Sequence, residues 1–323
     1  MTCVVAPSRL HFGLLHLPGR KQEQTDGLVV ARTFGSVGLM VAQPGVRVSA
    51  TAAPQWSAMG PSAGRALAFA HAFVQAAVPR WPGAFQIAVE SCPAEHIGLG
   101  TGTQLALAVA AALAPALHVA CSAVEMGQML GRGARSALGI HGFAQGGFLV
   151  DGGKGPATEV APLLARCDFP ADWAVVLVLP RAGQGVHGAG ERDAFADLAA
   201  KANAPDRTDV LCRLVLLGML PALAEKDLAV FGEALYEFNR RVGEAFRPVQ
   251  GGIYAHPQAE AAVHFFRGQG VQGVGQSSWG PTLFAVAAAD HAAWLQEQYV
   301  RRQGDSTVEV VLARGQNTGA ALG

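Results

Sequence analysis

One stretch constrains this chain more than any other. Pro93-Ala-Glu-His-Ile-Gly98-Leu-Gly100-Thr-Gly102-Thr-Gln104 sets three alternating glycines directly before an alanine- and leucine-rich run. Alternating glycines permit positive φ and close approach of the backbone to another group. From Thr103 onward the pattern is helical, with Leu105, Leu107, Val109 and Leu113 in a small-residue background, and alanine favours helix. A helix start presents unpaired N–H groups and a partial positive charge, to which Thr101, Thr103 and Gln104 add side-chain donors. The segment is a candidate anion site, phosphate or diphosphate first. A tight strand-to-helix turn without a ligand fits the spacing equally. No Gly-Lys-Ser/Thr follows, so it is not a Walker loop, and the third glycine comes too early for a dinucleotide fingerprint.

The rest of the chain reads as α+β. Short apolar or alternating runs at 4–5, 10–15, 28–31, 37–41 and 46–49 predict strands, with a helix over 62–78 and a strand over 85–89. Ser122 followed by Glu125 has the spacing of a capping box. Gly139 to Gly153 is glycine-rich around Phe148-Leu149-Val150, which suits a strand between tight turns. A composition break near Gly152 to Pro162 divides the chain into domains 1–155 and 156–323. The second domain holds expected strands at 174–179, 282–287 and 308–312 and helices at 209–224, 227–246, 257–267 and 292–301. Strands and helices mix without regular βαβ alternation, so a doubly wound sheet is the poorer fit.

Composition narrows the partners. Lysine plus arginine and aspartate plus glutamate number 24 each, and no dense basic run occurs, which argues against nucleic acid. The most apolar run, Leu105 to Leu117, contains Pro115 and is shorter than the roughly 20 residues of a membrane span. The N-terminus has no signal-peptide pattern. Five scattered cysteines without a C-x-x-C pair fit reduced thiols, so a cytoplasmic, non-membrane protein is expected. Cys92, six residues before Gly98, is either a reactive thiol or, more commonly, a small buried hydrophobe.

Pro93 to Gln104 resembles the phosphate loop of the GHMP small-molecule kinases, and Ala6-Pro7-Ser8-Arg9-Leu10 resembles their N-terminal motif. The match is closer to one branch, the β-ribofuranosylaminobenzene 5'-phosphate synthases. It is carried by Gly98 to Ala108, by Gly131-Arg-Gly-Ala-Arg135 with Gly146 to Gly153, and by Gly275-Gln-Ser-Ser-Trp-Gly-Pro-Thr282. The resemblance implies a GHMP-kinase-like fold, with a ribosomal S5 domain 2-like N-terminal domain and a ferredoxin-like C-terminal domain. It also implies the branch's reaction, early in tetrahydromethanopterin synthesis. There 4-aminobenzoate, or an analogue such as 4-hydroxybenzoate, is joined to phosphoribosyl diphosphate with loss of carbon dioxide and diphosphate. Mg²⁺ is then expected through the diphosphate, with no organic cofactor, small molecules as partners, and a homodimer as a compatible assembly. Thr101-Gly102-Thr103 replaces the kinases' two serines and alanine, which disfavours phosphoryl transfer from ATP.

Such a displacement builds positive charge on the sugar and negative charge on the diphosphate. Gly98, Gly100, Thr101, Gly102, Thr103 and Gln104 are the residues expected to hold phosphate. Arg9 and His11 alternate onto one side of a strand and suit phosphate or carboxylate, or else a solvated edge; Arg9 is also a catalytic candidate. Asp26 is a substrate- or metal-orienting residue or a plain turn aspartate. Arg132 and Arg135 offer guanidinium forks, or are ordinary charges near a helix end. His187 and Glu191, in a glycine-flanked loop, are candidate acid/base groups on a lid, with Glu191 or Asp193 as alternatives for Mg²⁺; the same loop also reads as a connector. Ser277, Ser278 and Trp279 complete the candidates, Trp279 either stacking on the aromatic acceptor or packing at a domain interface. Metal ligands are not assigned. The paired-acid stretch of many phosphoribosyltransferases is absent, so phosphoribosyl diphosphate rests on the resemblance. A GHMP kinase using ATP and a non-catalytic ligand-binding protein of this fold are the competing readings.

Overall fold

The computed structural model describes residues 1–16, 32–180, 208–304 and 308–323. The expected strand at 28–31, Asp26, and the 183–192 loop with His187 and Glu191 lie outside the described residues, as does Asp193.

Two long antiparallel strands, β1 (Thr2–His16) and β2 (Phe34–Ala53), pair from Thr2↔Ala50 to His16↔Phe34. The sequence splits each into two short runs. The structure joins them because irregularities between Ala6 and Ser8 and between His11 and Gly13 bend β1 without ending its pairing. The short β3 (Ser57–Met59) runs parallel to β4 (Ala84–Ser91), which pairs with β2. On the same sheet β5 (Phe148–Asp151) pairs with β2 and with β6 (Leu163–Cys167), and β11 (Ala321–Leu322) returns to β1. This seven-stranded sheet therefore runs past residue 155 and takes back the C-terminal strand.

Helices α1 (Ala63–Ala77) and α2 (Thr101–Leu113) cover part of the sheet, burying Phe73, Val48, Ile87 and Leu107 together. Nearly every side chain of α2 is buried, as an all-apolar helix demands. It begins at Thr101, two residues earlier than the periodicity suggests. The short α3 (Ala123–Met129) starts on the anticipated Ser122–Glu125 capping box. α4 (Leu138–Gln145) occupies the glycine-rich segment read as turn and strand. Its glycines serve close packing: a Cβ on Gly142 would lie 2.2 Å from Met40 Sδ.

A four-stranded antiparallel sheet follows, in the order β10-β7-β9-β8, built from β7 (Trp173–Pro180), β8 (Gly273–Gln276), β9 (Leu283–Ala288) and β10 (Val308–Ala313). Numbered within this unit the order is 4-1-3-2, the ferredoxin-like arrangement. Helix α5 (Thr208–Leu214) passes through a π-helical turn (Val215–Met219) into α6 (Leu220–Glu225), and α7 (Leu228–Gln250) follows. α8 (Pro257–Gly268) and α9 (Ala289–Gln303) pack on β7 to β9 through Val176, Phe266, Ala285 and Leu295. Between the sheets lies a core rich in aromatic side chains, where Phe12 sits 4.9 Å from Phe284 and 6.3 Å from Phe148. Each such fully buried ring contributes about 2–3 kcal/mol, so the two sheets are held as neighbours. The start of α2 lies close to this junction.

Candidate functional site

The glycine loop is shaped by segments from both sheets. Arg9 of β1 donates its N–H to Leu99 O at 2.9 Å. From the far side the 275–282 segment straps the loop down: Ser277 Oγ donates to Gly98 O at 2.6 Å and Thr282 N donates to Ile97 O at 3.2 Å. The same Ser277 Oγ accepts from His11 N at 2.9 Å, and Ser278 N donates to His11 O at 2.9 Å. Gly98 has φ +97°, and a Cβ there would lie 2.4 Å from Ser277 O; Gly280 meets Gly98 N at 2.2 Å in the same way. Two backbones thus touch where neither can carry a side chain.

Gly100 caps α2 with φ 69°, and no side chain caps the helix. Thr103 N and Gln104 N both donate to Gly100 O, so the amides of Thr101 and Gly102 are the ones directed out of the helix start. Around them is a cleft of about 220 Å³, lined by Arg9, Arg65, Glu95, His96, Gly98 to Thr103 except Leu99, Arg132 and the 278–280 segment. Arg9 packs over Gly100, its Nε 2.9 Å from a would-be Cβ. Arg65 and Arg132 lie over Gly102, with terminal nitrogens 2.7 and 3.3 Å from its would-be Cβ, and both lean on the Phe69 ring, at 5.4 and 5.9 Å. Arg132 also points at Thr103 Oγ1, 3.3–3.4 Å away. Burial lowers the Arg132 pKa, the positive charges of Arg65 and Arg135 lower it further, and Glu95 opposes the shift. A guanidinium so placed is stabilised by any anion that enters.

The structure thus brings Arg9, Gly98, Gly100, Thr101, Gly102, Thr103, Arg132, Ser278 and Trp279 onto one cleft. Four other expected residues do not line it. Ser277 spends its hydroxyl within the protein, as above. Gln104 is buried and donates to Gly139 O at 2.8 Å, anchoring α4 to α2. Arg135 acts at longer range on Arg132 and His11. His11 lines a separate small cavity of about 40 Å³ with Phe12, Val242, Phe246 and Trp279. Its imidazole is held well below the usual range by burial first, then by Arg9 and Arg135, so it is neutral and not a cationic partner for phosphate. Trp279 is 8% exposed and meets Phe246 edge to face at 4.8 Å. It lines both cavities, so its packing role is visible while its side toward the cleft remains in contact with the site.

The expectations missed Arg65, Glu95 and His96 as residues lining the cleft. Arg65 left one signal: it is the only Asp, Glu, Lys or Arg in 63–77. Burial pushes the Cys92 thiol up to about 11, which disfavours the thiolate a nucleophile needs and fits the small-hydrophobe reading. Asp151, fully buried, accepts from Ala137 N at 2.9 Å, Gly153 N at 3.0 Å and Ser36 Oγ, and so fixes the end of the 131–137 segment that carries Arg132 and Arg135.

A divalent cation needs oxygen donors. Among the described residues no group of three His, Cys, Asp or Glu could hold one, and the cleft's lone carboxylate is already paired with Arg65. The described residues alone do not supply a donor set for a protein-held Mg²⁺. Among the described residues, no helix is long and apolar enough to cross a membrane.

Residues 219–305 match the family described as GHMP kinases C terminal. A beta-ribofuranosylphenol 5'-phosphate synthase of Archaeoglobus fulgidus is 32% identical over 301 residues, 87% of this chain and 86% of that protein. Its Methanothermobacter thermautotrophicus namesake is 30% identical over 215 residues, an alignment that spans 62% of this chain and 63% of the relative. Among solved structures, a homoserine kinase from Cytophaga hutchinsonii superposes with a TM-score of 0.64 at 14% identity, covering 99% of this chain and 97% of that one. A mevalonate kinase does so with 0.64 at 12% identity, covering 98% and 99%. At such identities these two share the fold alone, the GHMP kinase fold.

Proposed function

Because this chain belongs to the family of beta-ribofuranosylphenol 5'-phosphate synthases, we propose that it is a pentosyltransferase. In this reading it joins a 4-substituted benzoate to phosphoribosyl diphosphate, early in tetrahydromethanopterin synthesis. The relatives' name specifies a phenol product, which favours 4-hydroxybenzoate as acceptor, with 4-aminobenzoate as its analogue. The ring carbon bearing the carboxylate bonds to C1 of the ribose as the C1–O bond to diphosphate breaks. The ring-to-carboxylate bond then breaks, its electron pair returns to the ring, and carbon dioxide leaves.

The observation that carries this reading is the cleft at the start of α2, where Arg9, Arg65 and Arg132 converge on outward-facing amides. Preorganised donors aimed at a departing diphosphate stabilise the charge that builds on it. Arg9, Arg65, Arg132 and the Thr101 and Gly102 amides hold the phosphates; Trp279 borders the acceptor; His187 and Glu191 are the acid/base candidates. Mg²⁺ enters as the companion of the diphosphate.

The test is incubation of purified protein with phosphoribosyl diphosphate, Mg²⁺ and carboxyl-labelled 4-hydroxybenzoate or 4-aminobenzoate, with released carbon dioxide trapped. Release that requires phosphoribosyl diphosphate supports the reading and names the acceptor. No release from either acceptor, together with ATP turnover on a small alcohol, replaces it with a kinase.

A further inference from the structure

Among the described residues, Glu95 is the one carboxylate lining a cleft that also presents Arg9, Arg65 and Arg132. Arg65 Nη1 donates to Glu95 Oε2, and the two side chains are only 31% and 24% exposed. His96 Nε2 lies 3.7 Å from the same oxygen. The backbone around Glu95 is tied down: Ala94 O accepts from Thr101 Oγ1 at 3.2 Å, and Ile97 O accepts from Thr282 N. Meanwhile Arg65 Nη2 overhangs Gly102 in the first turn of α2. Carboxylate and incoming phosphate therefore draw on the same guanidinium.

We propose that Glu95 is an internal counter-anion that determines phosphate selectivity, admitting diphosphates and rejecting lone phosphate. The inference rests on the phosphate reading of the cleft. A lone phosphate at the start of α2 reaches Arg65 Nη2 while Nη1 stays on Glu95, so it shares the guanidinium with a carboxylate whose charge repels it. A diphosphate spans further, from the guanidiniums over Gly102 to Arg9 over Gly100, so the added contacts offset that repulsion. Selectivity built on an unfavourable element of this kind acts on the difference between ligands rather than on affinity alone. It also keeps Arg65 and Arg132, both packed on Phe69, from facing each other without a neighbouring negative charge.

The experiment is calorimetric titration of the full chain and of Glu95→Gln with inorganic phosphate and inorganic diphosphate. Glu95→Gln is expected to bind phosphate about fivefold more tightly or better, the scale of a part-exposed ion pair. Diphosphate is expected to gain less, so the ratio of the two affinities falls. Melting curves check folding. Should Glu95→Gln fail to fold, Glu95→Asp, with its carboxylate drawn back by one methylene, is expected to lower the ratio part of the way. An unchanged ratio in a folded variant overturns the role of Glu95 while leaving the phosphate site standing. Wild-type protein that binds neither anion overturns the phosphate reading itself, and this inference with it.

Discussion

Gly102→Ala separates the phosphate reading from a purely structural reading of the glycine loop. Gly102 lies in the first turn of α2, where alanine stabilises helix by about 0.5–1 kcal/mol over glycine. The new Cβ would stand 2.7 Å from Arg65 Nη2 and 3.3 Å from Arg132 Nη2. Both are ends of flexible side chains, so they yield; Arg65 must withdraw by about 0.7 Å to reach an ordinary 3.4 Å contact. The fold thus loses little or gains slightly. The anion site loses the alignment of one guanidinium, and a charged hydrogen bond is worth about 1.5–3 kcal/mol, or roughly 10- to 100-fold in affinity. Calorimetry with inorganic diphosphate and a thermal melt on the same sample read both quantities. The expected pair of results is an unchanged or raised melting temperature and affinity lowered at least tenfold. Diphosphate affinity within twofold of wild type would refute the reasoning, because the overhanging guanidiniums could then not be the ligand's contacts.

The remaining predictions probe what holds the cleft in place. Gly98→Ala places a Cβ 2.4 Å from Ser277 O and 3.3 Å from Gly280 Cα at φ +97°; neither backbone can yield cheaply, so a loss of about 3 kcal/mol or more is expected in thermal denaturation. Asp151→Asn turns an amide donor toward the N–H groups of Ala137 or Gly153, for about 2–3 kcal/mol in urea denaturation together with weaker diphosphate binding as the Arg132 segment loosens. His11 gives a pH signature: its folded pKa is lowered, by burial first, so the unfolded chain binds the proton more readily. Its contribution is complete above the unfolded pKa of about 6.5 and is lost as pH falls below it, with a slope of up to about 1.4 kcal/mol per pH unit. His11→Gln is expected to flatten the acid side of the stability curve; equal slopes in the two proteins would contradict a buried neutral imidazole.

Local signals were legible in the sequence where the physics is local. The Ser122–Glu125 cap depends on residues three apart, and it forms with both reciprocal bonds. The glycine loop and its helix also depend on neighbours along the chain. β1 and β2 read as four pieces because the bulges that unite them exist only once the partner strand is present. α4 was hidden for a similar reason: Gly142 looks like a helix breaker until Met40 is seen to fill the space where its side chain would be. In sequence Ser277 reads as a ligand group, and nothing within 275–282 reveals that His11 and Gly98 consume its hydroxyl. Arg65 belongs to no motif, and its place over Gly102 comes from the packing of α1 on α2.

Charge matching in the cleft explains how one loop can serve a doubly anionic ligand without a cage of carboxylates. Among the described residues the lining carries three guanidiniums against the one carboxylate of Glu95, a surplus of two. The start of α2 adds roughly half a charge. One phosphoryl group brings about 1.5 to 2 negative charges, so a diphosphate brings more than the lining alone balances. The excess must draw its countercharge from beyond these residues. Arg135 is placed to supply part of it, close enough to lower the pKa of Arg132 while standing outside the lining. Among the described residues the one carboxylate of the lining is already held by Arg65. A further carboxylate beside these arginines would pair with one of them and weaken the hold on phosphate.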